Sequence, residues 1–205
     1  MKLVREHINE VKFTDIIRPL SDKQILDDLK HMSQEEKNIK LGVAAANGNS
    51  KMIELLIRAG ANVNLKDTEG YTPLILASTY GWTNMVELLI NAGADINVKN
   101  KYGNTALLKA LMGVHKDIVK LLINAGVDVN AKDHKGWTAL MYASSNNYKD
   151  IAKLLIDAGA DVNAKNYNGW TALKWASFYD NKDIIEMLLK AGADSKHSFF
   201  KKNKK

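Results

Sequence analysis

The stretch that decides the fold runs from residue 67 to residue 99 and reads DTEGYTPLILASTYGWTNMVELLINAGADINVK. Glycines and polar residues of this stretch return at intervals of 33 residues. Four series share that interval: Gly70, Gly103, Gly136 and Gly169; Gly60, Gly93, Gly126, Gly159 and Gly192; Lys66, Lys99, Lys132 and Lys165; Asn64, Asn97, Asn130 and Asn163. Independent series with one period indicate that the chain is built from stacked copies of a single structural unit.

Local signals within one unit predict a turn followed by two helices. The turn ends in Gly70, which can adopt the positive φ that a tight turn requires. Thr72 and Pro73 then start a helix, because threonine caps free backbone N–H groups and proline is tolerated in the first turn. Gly93 ends the second helix as a left-handed cap.

Apolar residues at helical spacing predict the buried side of each helix. On the first helix these are Leu74/Ala77, Leu107/Ala110, Leu140/Ala143 and Leu173/Ala176. On the second helix they are Val86, Leu88 and Leu89, then Val119, Leu121 and Leu122, then Ala152, Leu154 and Leu155. Because one pair of short helices buries too little surface alone, the units must stack.

The motif Asp67-x-x-Gly70-x-Thr72-Pro73-Leu74-x-x-Ala77, followed by Gly93-Ala94-Asp95-Ile96-Asn97, resembles the ankyrin repeat. The resemblance covers residues 34–195 and implies an all-α solenoid of helix-turn-helix units, each with a projecting β-turn finger. The histidine usual after Thr-Pro-Leu in the family is replaced by Ile75, Leu108, Met141 and Lys174. Gly81, between the helices, is replaced by Val114 in the third repeat, where we therefore expect an irregular helix junction.

We predict five ankyrin repeats with a helical N-terminal extension. The repeats are residues 34–66, 67–99, 100–132, 133–165 and 166–195, and a basic tail follows at 196–205. The first repeat lacks the turn finger and starts instead with a capping box of Ser33 and Glu36. Ser21 and Gln24 form a second box before a short amphipathic helix predicted over residues 22–32. Since solenoid ends need a cover, we assign residues 1–33 to capping, with a binding or localisation role as the alternative.

Composition and charge bound the class of protein. The 205 residues include no cysteine, which excludes disulfides, thiolate metal sites and cysteine nucleophiles. No signal-peptide core or membrane-length apolar window is present, so we expect a cytoplasmic, monomeric protein. The net charge of +6 comes mostly from five lysines in residues 196–205, which leave 24 basic and 23 acidic residues in the first 195. That near-neutral body argues against nucleic-acid binding, which remains the alternative through the lysine tail.

No arrangement of residues points to catalysis. His7, His31, His115, His134 and His197 are scattered without ligand spacing, and no phosphate-loop, zinc-protease or nucleophile-elbow motif occurs. The sequence therefore predicts no enzyme activity, no cofactor and no metal site, and favours a non-catalytic scaffold that binds another protein.

Residues that vary between repeats carry the prediction of a site, because the fold does not dictate them. The resemblance places residues beside the turn glycine, and those ending the first helix, on the concave side. The candidate partner-binding residues are Tyr71, Tyr80, Tyr102, Met112, His134, Trp137, Tyr167, Trp170, Phe178 and Tyr179. Exposed aromatic residues dominate binding hot spots, so we expect Trp137, Trp170, Phe178 and Tyr179 to form the centre of the site. For the two tryptophans, packing against the adjacent finger is an equal alternative.

A further row of variable residues lies on the first helix, two positions past the leucine: Leu76, Lys109, Tyr142 and Trp175. Lys109 could contact a partner, but we favour a packed side-chain stem with the ammonium group reaching solvent.

Overall fold

The computed structural model describes residues 20–195, and over that range it contains α-helices and no β-strand. This confirms the predicted all-α ankyrin solenoid. The helices are α1 (Asp22–His31), α2 (Gln34–Ala46), α3 (Ser50–Arg58), α4 (Pro73–Tyr80), α5 (Thr83–Asn91), α6 (Ala106–Met112), α7 (Lys116–Asn124), α8 (Ala139–Ser145), α9 (Lys149–Asp157), α10 (Ala172–Phe178) and α11 (Lys182–Lys190). Helices α2 to α11 form consecutive pairs, in which first helices stack on first helices and second on second.

The first helix of each repeat with a finger begins at a capping threonine, as predicted. Thr72 Oγ1 accepts a hydrogen bond from the backbone N–H of Ile75 at 3.3 Å, and Pro73 takes the first helical position. Thr105, Thr138 and Thr171 cap α6, α8 and α10 in the same way.

The turn between the two helices of a repeat requires a residue with positive φ. Gly81 fills this position with a φ of 81°, and Val114 fills it in the third repeat with a φ of 60°. The N–H of His115 then bonds to Ala110 O at 2.8 Å, as the corresponding residues of the other junctions do. The expectation of an irregular junction in the third repeat is therefore wrong, because Val114 adopts the same left-handed turn despite its side chain.

The core is a continuous layer between the stacked helices. All the predicted leucine and alanine pairs of the first helices are at most 1% exposed. The stripe predicted for the second helices is partly wrong, since Leu88 and its counterparts Leu121 and Leu154 are only half-buried. In α5 the buried positions are Met85, Val86 and Leu89, because residues i, i+1 and i+4 share one side of a helix and i+3 falls at its edge.

Helix α1 covers the end of the first repeat by packing against α3. Leu29 is 3% exposed, and Ile25 and Leu26 are half-buried against the core. Asp22 adds an ion pair of 2.6 Å to Lys51 in α3. Both predicted capping boxes are present, at the start of α1 and at the start of α2. The predictions for residues 1–19 and for the basic tail lie outside the described residues.

The periodic asparagines join each repeat to the next. Asn130 Oδ1 accepts a hydrogen bond from Asp161 N at 2.8 Å, and Asn130 Nδ2 donates to Gly159 O at 3.3 Å. The bond to the following repeat is repeated by Asn64, Asn97 and Asn163. The period seen in the sequence is thus partly a period of inter-repeat hydrogen bonds.

In the first repeat, two side chains of α2 replace the asparagine that a preceding repeat would supply. Asn38 Oδ1 accepts from Asn62 N at 2.9 Å. Gln34 Nε2 donates to Gly60 O at 3.1 Å. These bonds match those of Asn130, because Asn62 and Gly60 correspond by the 33-residue period to the positions that Asn130 binds.

Candidate functional site

Each turn finger is closed by one side chain and joined to its neighbour. Asp133 Oδ1 accepts hydrogen bonds from the backbone N–H groups of Lys135 at 2.8 Å and Trp137 at 2.9 Å. Backbone bonds then connect adjacent fingers, as from His134 N to Tyr102 O at 3.3 Å. The same closure is made by Asp67, Asn100 and Asn166. The residue after each turn glycine is therefore fixed beside the first helices.

Six aromatic side chains of the fourth and fifth repeats form what we call the aromatic cluster: Trp137, Tyr142, Trp170, Trp175, Phe178 and Tyr179. Trp175 lies at its centre, with its ring centroid 4.4 Å from those of both Trp137 and Trp170. Tyr142 extends the cluster beyond Trp137 at 4.8 Å. Tyr179 stacks on Trp175 with an interplanar angle of 15°. The cluster therefore crosses from finger to helix and from one repeat to the next.

One end of the aromatic cluster is open to solvent. Phe178 is 59% exposed and Tyr179 is 52% exposed, at the end of α10. Trp137 and Trp170 are half-buried, because their rings contact the rest of the cluster. These two tryptophans pack within the protein and also keep accessible surface, so both interpretations weighed from the sequence apply to them.

The buried end of the cluster carries a polar contact. The Tyr142 hydroxyl donates to Asp133 Oδ2 at 2.7 Å, and Asp133 is 7% exposed. Burial, and the hydrogen bond to Asp133, raise the pKa of Tyr142 far above its usual range. Tyr142 is therefore held as a neutral donor that anchors the cluster to the fourth finger.

The other candidate residues lie outside the cluster. Tyr102 donates to Glu69 Oε2 at 3.1 Å, across two fingers. A Cβ added at Gly136 would lie 2.9 Å from the Tyr167 ring, and one at Gly103 would lie 2.6 Å from the His134 ring. Tyr167 and His134 thus help the fingers stack. Of the remaining candidates Tyr71 is half-buried, and Tyr80 and Met112 are exposed at the ends of α4 and α6.

The prediction from sequence missed Tyr142 and Trp175 as site residues. Both belong to the row that begins with Leu76 and Lys109, so a signal was present in the change from small or charged side chains to large rings. A position that is lined by leucine in one repeat gave no indication of a central role in another.

The sequence analysis also missed an apolar groove of about 850 Å³ at the opposite end of the array. The groove lies between α2 and the second repeat, next to the place where the first repeat lacks a finger. Ile39 and Val43 line it and are 59% and 55% exposed. Leu65, Tyr71 and Leu76 complete its apolar wall.

Two further searches bear on the class of site. Between residues 20 and 195, no group of three or more histidine, aspartate or glutamate side chains is arranged to hold a metal ion. None of the helices in that same range is long and apolar enough to cross a membrane.

Comparisons with known proteins identify the family. The model of ankyrin repeats in three copies matches residues 41–133 and 115–198, which together are more than half of the chain. A segment of 35 residues is 57% identical to the human fibronectin type 3 and ankyrin repeat domains protein 1. That segment covers 17% of this chain and only 10% of the human protein. Ankyrin repeats are in general modules for protein–protein interaction, and proteins built from them are typically non-catalytic scaffolds. The chain belongs to the ankyrin-repeat family.

Proposed function

We propose that this protein is a non-catalytic scaffold that binds another protein in its concave groove, with the aromatic cluster at the centre of the interface. In this proposal the binding unit is the array of five repeats at 34–66, 67–99, 100–132, 133–165 and 166–195. Residues 1–33 act as its cap. The protein acts as a monomer in the cytoplasm, a proposal that the absence of cysteine supports.

The exposure of Phe178 and Tyr179 carries this proposal. Both rings are more than half exposed, yet they rest on a packed layer of Trp170 and Trp175. A ring held by its neighbours loses little conformational entropy when a partner covers it, and it offers a large contact area. Aromatic side chains with this combination are typical of the few residues that dominate binding energy.

Nucleic-acid binding is the alternative, and charge argues against it. Residues 1–19 carry four basic and three acidic side chains, and residues 196–205 carry five lysines, out of 29 basic and 23 acidic in total. Residues 20–195 therefore carry 20 of each sign. Affinity for nucleic acids rests on several cations that neutralise phosphates, so the described array lacks the net charge for it.

Alanine substitutions at the open end of the cluster test the proposal. The partner would be recovered by affinity capture from a lysate of the source cells, purified, and titrated by calorimetry. Phe178→Ala and Tyr179→Ala are each expected to weaken binding by about 30-fold, the equivalent of about 2 kcal/mol at a hot spot. Melting temperatures should stay nearly unchanged, because both side chains are largely exposed.

The matched controls come from earlier repeats. Tyr80 occupies the position of Tyr179 three repeats earlier and is 53% exposed, and Met112 occupies the position of Phe178 two repeats earlier. Tyr80→Ala and Met112→Ala are expected to change the affinity by less than about threefold, as interface positions outside a hot spot do. If Tyr80→Ala abolishes binding while the Phe178 and Tyr179 variants bind normally, the site lies in the earlier repeats and the proposal is wrong.

A further inference from the structure

The lysines of this protein differ in whether an acidic side chain accompanies them. Every lysine on the second helices α3, α7, α9 and α11 has a carboxylate oxygen within 4.0 Å of its Nζ atom. Two of these pairs bridge consecutive repeats, Lys116 to Asp150 at 2.5 Å and Lys149 to Asp183 at 2.9 Å. The charge of the outer helices is therefore balanced locally.

Two lysines beside the aromatic cluster are not balanced in this way. Among residues 20–195, no carboxylate oxygen lies within 4.0 Å of the Nζ atom of Lys109 or Lys135. Lys109, in α6, is half-buried with its Nζ 6.0 Å from the centre of the Tyr71 ring. Lys135 is exposed on the fourth finger and lines a hollow of about 220 Å³ together with Met112 and Asp133.

The nearby carboxylate of Asp133 is already occupied by donors of its own. It accepts hydrogen bonds from two backbone N–H groups of its finger and from the hydroxyl of Tyr142. The ammonium groups of Lys109 and Lys135 therefore remain available to an external anion, next to a surface of aromatic rings.

We propose that the groove of the third to fifth repeats binds an extended acidic segment of a partner protein, with carboxylates at Lys109 and Lys135 and apolar side chains on the aromatic cluster. This inference rests on the proposed function and adds the chemistry of the partner. Opposite charges across an interface select the partner and set its register. Aromatic anchors supply most of the affinity.

The repeat geometry also predicts a spacing within the partner segment. Lys109 and Trp175 occupy the same position in first helices two repeats apart. Packed helices lie about 8–10 Å apart, so these side chains are separated by roughly 16–20 Å. An extended chain advances about 3.3 Å per residue, which puts an acidic residue about five or six positions from an apolar one.

A peptide fits this surface better than a nucleic acid does. The side-chain oxygen of Asn104, a residue that lines the same hollow as Lys135, is buried and accepts no hydrogen bond from the described residues. A peptide backbone offers an N–H donor at nearly every residue, whereas a sugar–phosphate backbone of DNA offers none. Two ammonium groups on an array with no net charge are also few for a chain of phosphates.

Synthetic polymers test the inference without knowledge of the natural partner. The full chain would be titrated with a random glutamate–tyrosine copolymer, a lysine–tyrosine copolymer of equal length, and a 20-nucleotide oligothymidylate. Tryptophan fluorescence would report binding. We expect the glutamate–tyrosine copolymer to bind at least tenfold more tightly than the other two probes. Tighter binding of oligothymidylate, lost on substitution of Lys109 and Lys135, would overturn the inference in favour of nucleic acid.

Matched double variants separate the groove from the basic tail, which all of them retain. Lys109→Gln/Lys135→Gln is expected to weaken binding of the glutamate–tyrosine copolymer at least tenfold. Lys120→Gln/Lys153→Gln removes the same charge from the outer helices and should change the affinity by less than twofold. Equal effects of the two double variants would overturn the inference, because the attraction would then be general and not located in the groove.

A third variant distinguishes this inference from the proposed function. Phe178→Ala/Tyr179→Ala should also weaken binding of the copolymer. If it does so while Lys109→Gln/Lys135→Gln has no effect, the preference for acidic segments is wrong and the aromatic site stands. If neither variant weakens binding of the copolymer or of the natural partner, the proposed function fails as well.

Discussion

At the scale of single residues, Val114 occupies a backbone conformation that is unfavourable for its side chain. A left-handed conformation costs a residue with a Cβ about 1–2 kcal/mol, and β-branched residues adopt it rarely. The other junctions use Gly81, Asn147 and Asp180, which are residue types that adopt it more readily. The turn is maintained at Val114 because the stacked helices on both sides determine its geometry.

We therefore predict that Val114→Gly stabilises the protein. The gain should be about 0.5–1 kcal/mol, since relief of the left-handed strain exceeds the added backbone entropy of glycine. Val114 is 52% exposed, so little packing is lost. Urea unfolding followed by circular dichroism measures the change. Asn147→Gly, with a φ of 57° in the parent, should gain less because asparagine tolerates this region; a loss of stability in Val114→Gly would contradict the argument.

The residue scale also shows where prediction from the sequence stopped. The capping threonines, the turn glycines and the leucine and alanine pairs were readable, because each obeys a local rule that repeats every 33 residues. Trp175 was not identified as the centre of the aromatic cluster, because its contacts to Trp137 and Trp170 cross repeats and depend on their stacking distance. Ion pairs such as Lys116 to Asp150 depend on side-chain geometry in the same way.

At the scale of the element, α1 is a helix whose stability depends on what it covers. An isolated helix of 10 residues is marginal in water, even with a capping box. Its burial against α3 supplies the missing free energy. The sequence predicted this helix and its cap. It did not reveal that Gln34 and Asn38 of α2 take the place of a periodic asparagine, because they come from a different position in the repeat.

We predict that Leu29→Ala destabilises the first repeat. Leu29 is 3% exposed, and truncating a buried leucine typically costs about 2–4 kcal/mol. Hydrogen exchange should show the amides of α1 to α3 becoming less protected before those of α8 to α11. The control is Leu20→Ala, in which a 55% exposed leucine is truncated and the change should stay within about 0.5 kcal/mol. Equal protection patterns in both variants would mean that α1 does not cap the array.

At the scale of the whole molecule, the fold is a sum of repeats and the contacts between neighbours. The bonds between repeats have fixed offsets in sequence, as from Asn130 to Asp161 and from Asn163 to Asp194. Removal of one complete repeat therefore leaves every remaining offset correct.

We predict that deletion of residues 133–165 leaves a folded, shorter array. Asn130 would then bond to the backbone N–H of Asp194 in place of Asp161, because the two aspartates are 33 residues apart. The melting temperature should fall, since one interface between neighbouring repeats is lost. Circular dichroism at increasing temperature measures both properties. Deletion of residues 133–148 breaks the period and should unfold the C-terminal part; an unfolded product of the complete-repeat deletion would contradict the model.

The side chains of Gln34 and Asn38 also bear on polymerisation. A stack of similar units is open-ended, so the last repeat of one molecule could continue onto the first repeat of another and grow a filament. The hydrogen-bonding groups that such a junction would use, Gly60 O and Asn62 N, are already bound within the first repeat. An incoming molecule would have to break these bonds and displace α1 before it gained any of its own. The chain thus carries its own terminator against end-to-end fibre growth, much as a protected edge prevents one β-sheet from joining another.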